Sequence, residues 1–149
     1  MTRTTDASLS KRSREGTLFS VSFTVPLASL AATTDVITKY PILEPCTPVL
    51  FTATATVVAT TASRDADLVL HRIPGDTNTN ADITAVKVFD SCLKLTTATQ
   101  NALGETRSKT ISNDLVFQPE DTFSIYCLGN PTAAFAEGTT TLTVWFRRV

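Results

Sequence analysis

The chain is poor in the residues from which most active sites are built: one histidine, three cysteines and five glycines among 149 residues. Five scattered glycines leave little room for a phosphate-cradling loop, and no Gly-x-Ser-x-Gly elbow occurs. Cys46, Cys92 and Cys127 are odd in number and widely spaced, which suits neither a disulfide framework nor a zinc site. Free thiols of this kind fit a reducing compartment. Charge is also sparse, at 18% of residues and a net −1 at pH 7. The body has no basic stripe, so nothing holds a nucleic-acid backbone electrostatically. No apolar run approaches the ~18 residues that span a bilayer, and the opening MTRTTDASLSKRSREG lacks the apolar core of a secretory signal. Synthesis in the cytoplasm is expected, with neither a membrane nor a nucleic-acid partner.

What fills the space is threonine, at 28 positions. Threonine is β-branched and polar, and it suits the wet face of a pleated sheet. Phe19, Val21, Phe23 and Val25 alternate with Ser20, Ser22 and Thr24, a period-two strand ended by Pro26. Phe51, Ala53, Ala55 and Val57 alternate with Thr52, Thr54 and Thr56 within Val49 to Thr61. Leu68 to Ile73 is a third strand, closed by the turn Pro74-Gly75-Asp76. Between the first two, the prolines 41, 45 and 48 read as a loop. Residues 83–95 fit either a helical stripe or a strand, and Val86 and Val88 favour a strand over 84–89. Asn101 to Ser108 reads as a loop. A short strand at Leu115–Phe117 and longer ones at Thr122–Leu128 and Thr139–Arg147 complete the chain. Seven or eight short strands separated by turn signals predict an all-β antiparallel sandwich or jelly roll over residues 17–149.

Residues 1–16 stand apart. Arg3, Lys11, Arg12 and Arg14 face Asp6 and Glu15, and Met1 and Leu9 are the large apolar residues. This is an extended basic arm, unable to contribute a core element and suited to lying on a partner. Arginine favours paired contacts with carboxylates, so an acidic protein surface is a plausible seat, and a solubilising tail is the alternative.

The last two strands are apolar on both faces. Phe123, Ile125 and Cys127 share one face while Tyr126 and Leu128 lie on the other; Leu142, Val144 and Phe146 oppose Trp145. A strand apolar on both sides is usually covered on both, here by a loop or by another subunit. Tyr and Trp are enriched at interface centres, which makes Tyr126, Leu128 and Trp145 the candidate oligomer contacts.

No catalytic residue, metal ligand or cofactor site emerges. His71 is in phase with Val69 and Ile73 on a strand, without a partner base or nucleophile beside it in sequence. Residues Asp76 to Asp82 place oxygens at alternate positions as a calcium loop does, but Ala81 replaces the turn glycine and Lys87 the bidentate glutamate. Asp65/Asp67 and Glu120/Asp121 read as solvated turn acids. Neither an enzyme nor a small-molecule binder is expected.

The arm at 1–16, the strand Phe51-Thr-Ala-Thr-Ala-Thr-Val-Val58 and the ending Thr141-Leu-Thr-Val-Trp-Phe146 give the chain an organisation that resembles the cement or decoration proteins of tailed-phage heads. More loosely it resembles small jelly-roll viral coat proteins, whose arms tend to be far more basic. The resemblance implies a jelly roll, a homotrimer, binding to major capsid protein subunits and a place on the capsid surface of the virion. It brings no catalytic residue. A self-assembling coat protein and a fibre-tip or glycan-binding module, with Tyr40 and Phe135 as loop aromatics, are the alternatives.

Overall fold

The computed structural model describes residues 16–75, 86–88, 90–112, 115–130 and 132–149. Among the described residues nine strands run in chain order: β1 (Leu18–Pro26), β2 (Thr34–Pro41), β3 (Cys46–Val57), β4 (Asp65–Ile73), β5 (Val86–Lys87), β6 (Leu93–Thr96), β7 (Thr106–Thr110), β8 (Thr122–Leu128) and β9 (Thr139–Arg148). They form two antiparallel sheets, ordered β1-β9-β3-β7 and β2-β8-β4-β5, with β6 also pairing β4.

The pairing is nested. β1 pairs β9, β2 pairs β8, β3 pairs β7, and β4 pairs β5 and β6. First strand with last, second with next to last, and so on inward, is one long hairpin. Rolling that hairpin round a core brings β3 beside β9 and β4 beside β8. The result is an all-β antiparallel jelly roll, as the turn spacing predicts.

The alternating residues dictate the layers. Phe51, Leu142, Val144 and Phe146 from one sheet meet Leu68, Leu70, Phe123 and Ile125 from the other, all essentially inaccessible. Phe146 bridges the sheets, 5.4 Å from Phe123, and also packs 6.1 Å from Phe117 and 5.4 Å from Phe19. A 3-10 turn at Leu27–Ala31 caps one end with Leu27 and Leu30. Cys46 and Cys127 are buried hydrophobes, and burial raises their thiols to about 12 and about 11. The Cys127 thiol donates to the Leu30 carbonyl at 3.3 Å.

Four expectations are corrected. The proline-rich stretch contains β2, a bulged strand with two register shifts against β8 and positive φ at Lys39. Its apolar residues lose strict alternation at the bulges, which hides the strand. The Asn101–Ser108 loop ends early, because β7 begins at Thr106. With no apolar residue in Thr-Arg-Ser-Lys-Thr, β7 is held by its ladder to β3. Leu115–Phe117 is a single bridge from Phe117 to Cys46. Asp121 is buried: Arg72 Nε donates to its Oδ2 at 2.8 Å and Arg72 Nη2 to its Oδ1 at 3.4 Å. The strand expected over 84–89 is present as β5 at Val86–Lys87; residues 84, 85 and 89 lie outside the described residues.

Candidate subunit-contact surfaces

The outer face of the β1-β9-β3-β7 sheet is a carpet of hydroxyls. Ser20, Ser22 and Thr24 stand beside Trp145, Thr143 and Thr141, then Leu50, Thr52 and Thr54, then Thr110, Ser108 and Thr106. Cross-strand hydroxyl pairs form at Ser22–Thr143 (2.8 Å), Thr24–Thr141 (3.3 Å) and Thr54–Thr106 (2.8 Å). Apolar side chains gather at one end. Trp145 is half-buried between Ser20 and Leu50, and Leu18 beside Arg147 is 56% exposed.

The outer face of the other sheet is mixed. The Tyr126 ring stacks on His71, with centroids 4.7 Å apart and planes 18° from parallel. Asp35 and Val69 flank Tyr126 in register, and Val69 is buried although it too faces outward. Burial lowers the His71 pKa from 6.5, Asp35 opposes that shift and Lys87 adds to it, so the imidazole is biased to its neutral form. Leu128, at the end of β8, is 44% exposed. It lines a polar groove with Asp65, Asp67, Lys94 and Asn130, where Asn130 Nδ2 donates to Asp65 Oδ1 at 3.3 Å.

Tyr126 and Leu128 therefore share one face, and Trp145 lies on the opposite side of the sandwich. The three do not form one patch, so contacts through them would engage two different neighbours. Arg3, Lys11, Arg12 and Arg14 of the arm lie outside the described residues, as does the 76–82 loop. Lys87 is exposed on β5, opposite His71. Tyr40 packs at 5.2 Å from Phe123 and 5.4 Å from Phe23, and Phe135 is 3% exposed, so both loop-aromatic candidates pack inward. Among the described residues no cluster of His, Cys, Asp and Glu has the arrangement of a metal site, and no helix is long and apolar enough to cross a membrane.

The sequence pattern does not reveal a third surface, the open side between β1 and β2. There the inward-facing Phe19, Val21 and Phe23 are only half-buried. A groove of about 210 Å³ runs between β1 and the Tyr40–Glu44 segment, floored by Phe123 and Phe146, and Leu43 on its rim is 86% exposed. Arg148 closes one end: its guanidinium lies 4.7 Å from the Phe19 ring centre, and its Nε donates to Glu44 Oε1 at 2.8 Å.

No family model matches the chain, and no curated protein sequence matches it. Its fold is similar to that of a chain in a phage capsid. A chain in the capsid of Ralstonia phage GP4 superposes with a TM-score of 0.50 at 11% identity, over 91% of this chain and 86% of that one. A chain of the cyanophage Pam1 capsid asymmetric unit gives 0.41 at 12% identity, over 91% and 87%. One from sacbrood virus of honeybee gives 0.39 at 11%, over 93% and 72%. At these identities the likeness is one of fold alone.

Proposed function

We propose that the chain is a structural virion protein, a cement or decoration protein that binds the outside of a phage head and ties major capsid subunits together. The observation that carries this reading is the jelly roll itself. It superposes along nearly its whole length on a similarly sized chain of a phage capsid, and its distinctive surfaces are faces and edges suited to subunit contacts. The role needs no catalytic step and no cofactor. His71 is engaged with Tyr126, and Asp121 with Arg72.

In this reading the body sits on the shell as a homotrimer, with Tyr126 and Leu128 on one contact and Trp145 on another. The arm lays Arg3, Lys11, Arg12 and Arg14 on a neighbouring subunit. Several modest contacts multiplied by valency give long residence without one strong site. The test is binding of the purified chain to candidate phage heads, followed by electron microscopy and by solution mass before and after mixing. Saturable outer-surface density supports the reading, and removal of residues 1–16 should preserve the fold while weakening attachment. Closed shells formed by the chain alone would make it a coat protein instead.

A further inference from the structure

Among the described residues the two sheets have four edges, and three carry guards against pairing with another chain. β2 holds Asp35 and Lys39, shifts register twice against β8 and ends on Pro41. β7 carries Arg107 and Lys109 within five residues. The edge beyond β4 is made of two separate pieces, β5 with the exposed Lys87 and the four-residue β6 with the exposed Lys94. Charge, bulges, proline and shortness are the usual means of keeping an edge from templating a foreign strand. β1 has none of them before its final residue. Its nine residues, LFSVSFTVP, contain no charge, and its register against β9 runs from Leu18↔Arg147 to Pro26↔Thr139 without a shift.

The backbone of β1 is also correctly disposed. Arg148 N–H donates to the Thr17 carbonyl and Leu27 N–H to the Gly138 carbonyl, so odd-numbered residues turn their backbone groups toward β9. Alternate residues of an antiparallel ladder face opposite ways. The N–H groups of Leu18, Ser20, Ser22 and Thr24 therefore point to the far side, where no strand lies among the described residues.

The occupant is written in β1 itself, because its pattern reads the same in both directions about Ser22. Laid antiparallel on a copy of itself in that register, Ser20 meets Thr24, Val21 meets Phe23, Phe19 meets Val25 and Leu18 meets Pro26. Hydroxyls face hydroxyls on the outer face, repeating the Ser22–Thr143 and Thr24–Thr141 pairs on the β9 side. Apolar side chains face apolar ones beneath, over the half-exposed Phe19, Val21 and Phe23. Each outward N–H finds a carbonyl, and the residue without an N–H, Pro26, falls at the end. With no charge on the strand, like meets like without repulsion.

We propose that β1 pairs antiparallel with β1 of a second copy of this chain, about a twofold axis at Ser22, fusing two four-stranded sheets into one. The contact is isologous and closes at two. It uses neither outer face, so it is independent of any contact those faces make, and it holds whether or not the chain decorates a shell.

The test uses the full chain without shells. Sedimentation over a range of concentrations should show a mass that doubles. Ser22→Lys, an exposed change that sets two ammonium groups against each other at the axis, should hold the mass at the lower value with an unchanged circular dichroism spectrum. Residues opposed in such a pair have Cα atoms about 5.5 Å apart, within disulfide reach. Ser22→Cys should therefore crosslink under mild oxidation through the introduced thiol, mapped by mass spectrometry, and Ser108→Cys on the guarded β7 edge should not. A wild-type mass that never exceeds that of Ser22→Lys, or crosslinking no faster at 22 than at 108, would each overturn the proposal.

Discussion

Arg72 and Asp121, 49 residues apart in sequence, form a two-pronged ion pair that pins the end of β4 to the turn before β8. The Gln118 and Gly75 N–H groups also donate to Asp121, at 2.9 and 3.1 Å, so one carboxylate ties the end of β4 to its own turn through three residues. Burial alone would raise its pKa, but the hydrogen bonds from Arg72, Gln118 and Gly75 outweigh that and hold it below 3.8. Removing this acceptor leaves partly buried donors without it, and hydrogen bonds to charged groups contribute about 1.5–3 kcal/mol each. Asp121→Ala should therefore lower unfolding stability by about 3 kcal/mol in a urea titration, whereas Glu120→Ala, its exposed neighbour, should change it by less than about 0.5 kcal/mol.

Acid should loosen the fold through the same kind of group. Asp121 is held below its usual value. Glu137 is lowered to about 2 by the N–H and hydroxyl groups of Thr61 and Thr60, with Thr61 N–H at 2.7 Å. A carboxylate depressed on folding contributes stability that is complete above its unfolded pKa and lost as pH falls through the folded one. Stability should decline from about pH 4.5 toward pH 2, measured by thermal melts across that range, and the Glu137→Gln variant should show a shallower decline.

How much of this was legible in the sequence depended on burial. β1, β3, β4, β8 and β9 each turn one apolar face to the core, so they could be read directly. β2 hides behind bulges and the left-handed Lys39, and β7 has no apolar residue to alternate. Tyr126 and Trp145 stood out because they break phase with their strands. That they lie on opposite faces was not readable, since it depends on which sheet each strand joins, and nested long-range pairing decides that. Glu120 and Asp121 look alike in sequence; only the arrival of Arg72 from β4 separates them.

The Tyr126–His71 stack gives a direct spectroscopic handle. Burial disfavours the imidazolium, so the His71 ring should titrate below 6.5 by nuclear magnetic resonance. A histidine depressed on folding stays neutral while the unfolded chain takes up its proton, so its contribution to stability is lost as pH falls below 6.5. Tyr126→Ala opens the ring to water and should move the titration up toward 6.5. An unchanged midpoint would mean that other neighbours exclude the water.

Gly138 should not tolerate a side chain. Its φ of +107° is disfavoured for other residues, and a Cβ there would lie 2.7 Å from Leu27 Cδ1 and 3.1 Å from the Val57 carbonyl oxygen. Its own carbonyl accepts the Leu27 N–H at 3.0 Å, so the segment cannot simply shift away. Gly138→Ala should destabilise by about 1–3 kcal/mol, measured by urea unfolding. Gly104→Ala, at φ +78° in open space, should cost less.

Because Tyr126 and Trp145 sit on opposite faces, their substitutions test whether the molecule is gripped from both sides. Each ring is half-buried, and neither is part of the central core, so Tyr126→Ala and Trp145→Ala should both fold. An aromatic anchor at the centre of an interface is worth about 2 kcal/mol or more, which exceeds a tenfold change in dissociation constant. If the chain attaches to phage heads as proposed and both faces meet neighbours, each variant should leave them at least tenfold faster. The free energies should then add in the double variant within about 0.5 kcal/mol, as for independent sites. Should one variant bind like wild type, its face is open to solvent on the particle and the other face carries the contact. If both are silent, attachment runs through neither ring, and the arm and the β1–β2 side must account for it.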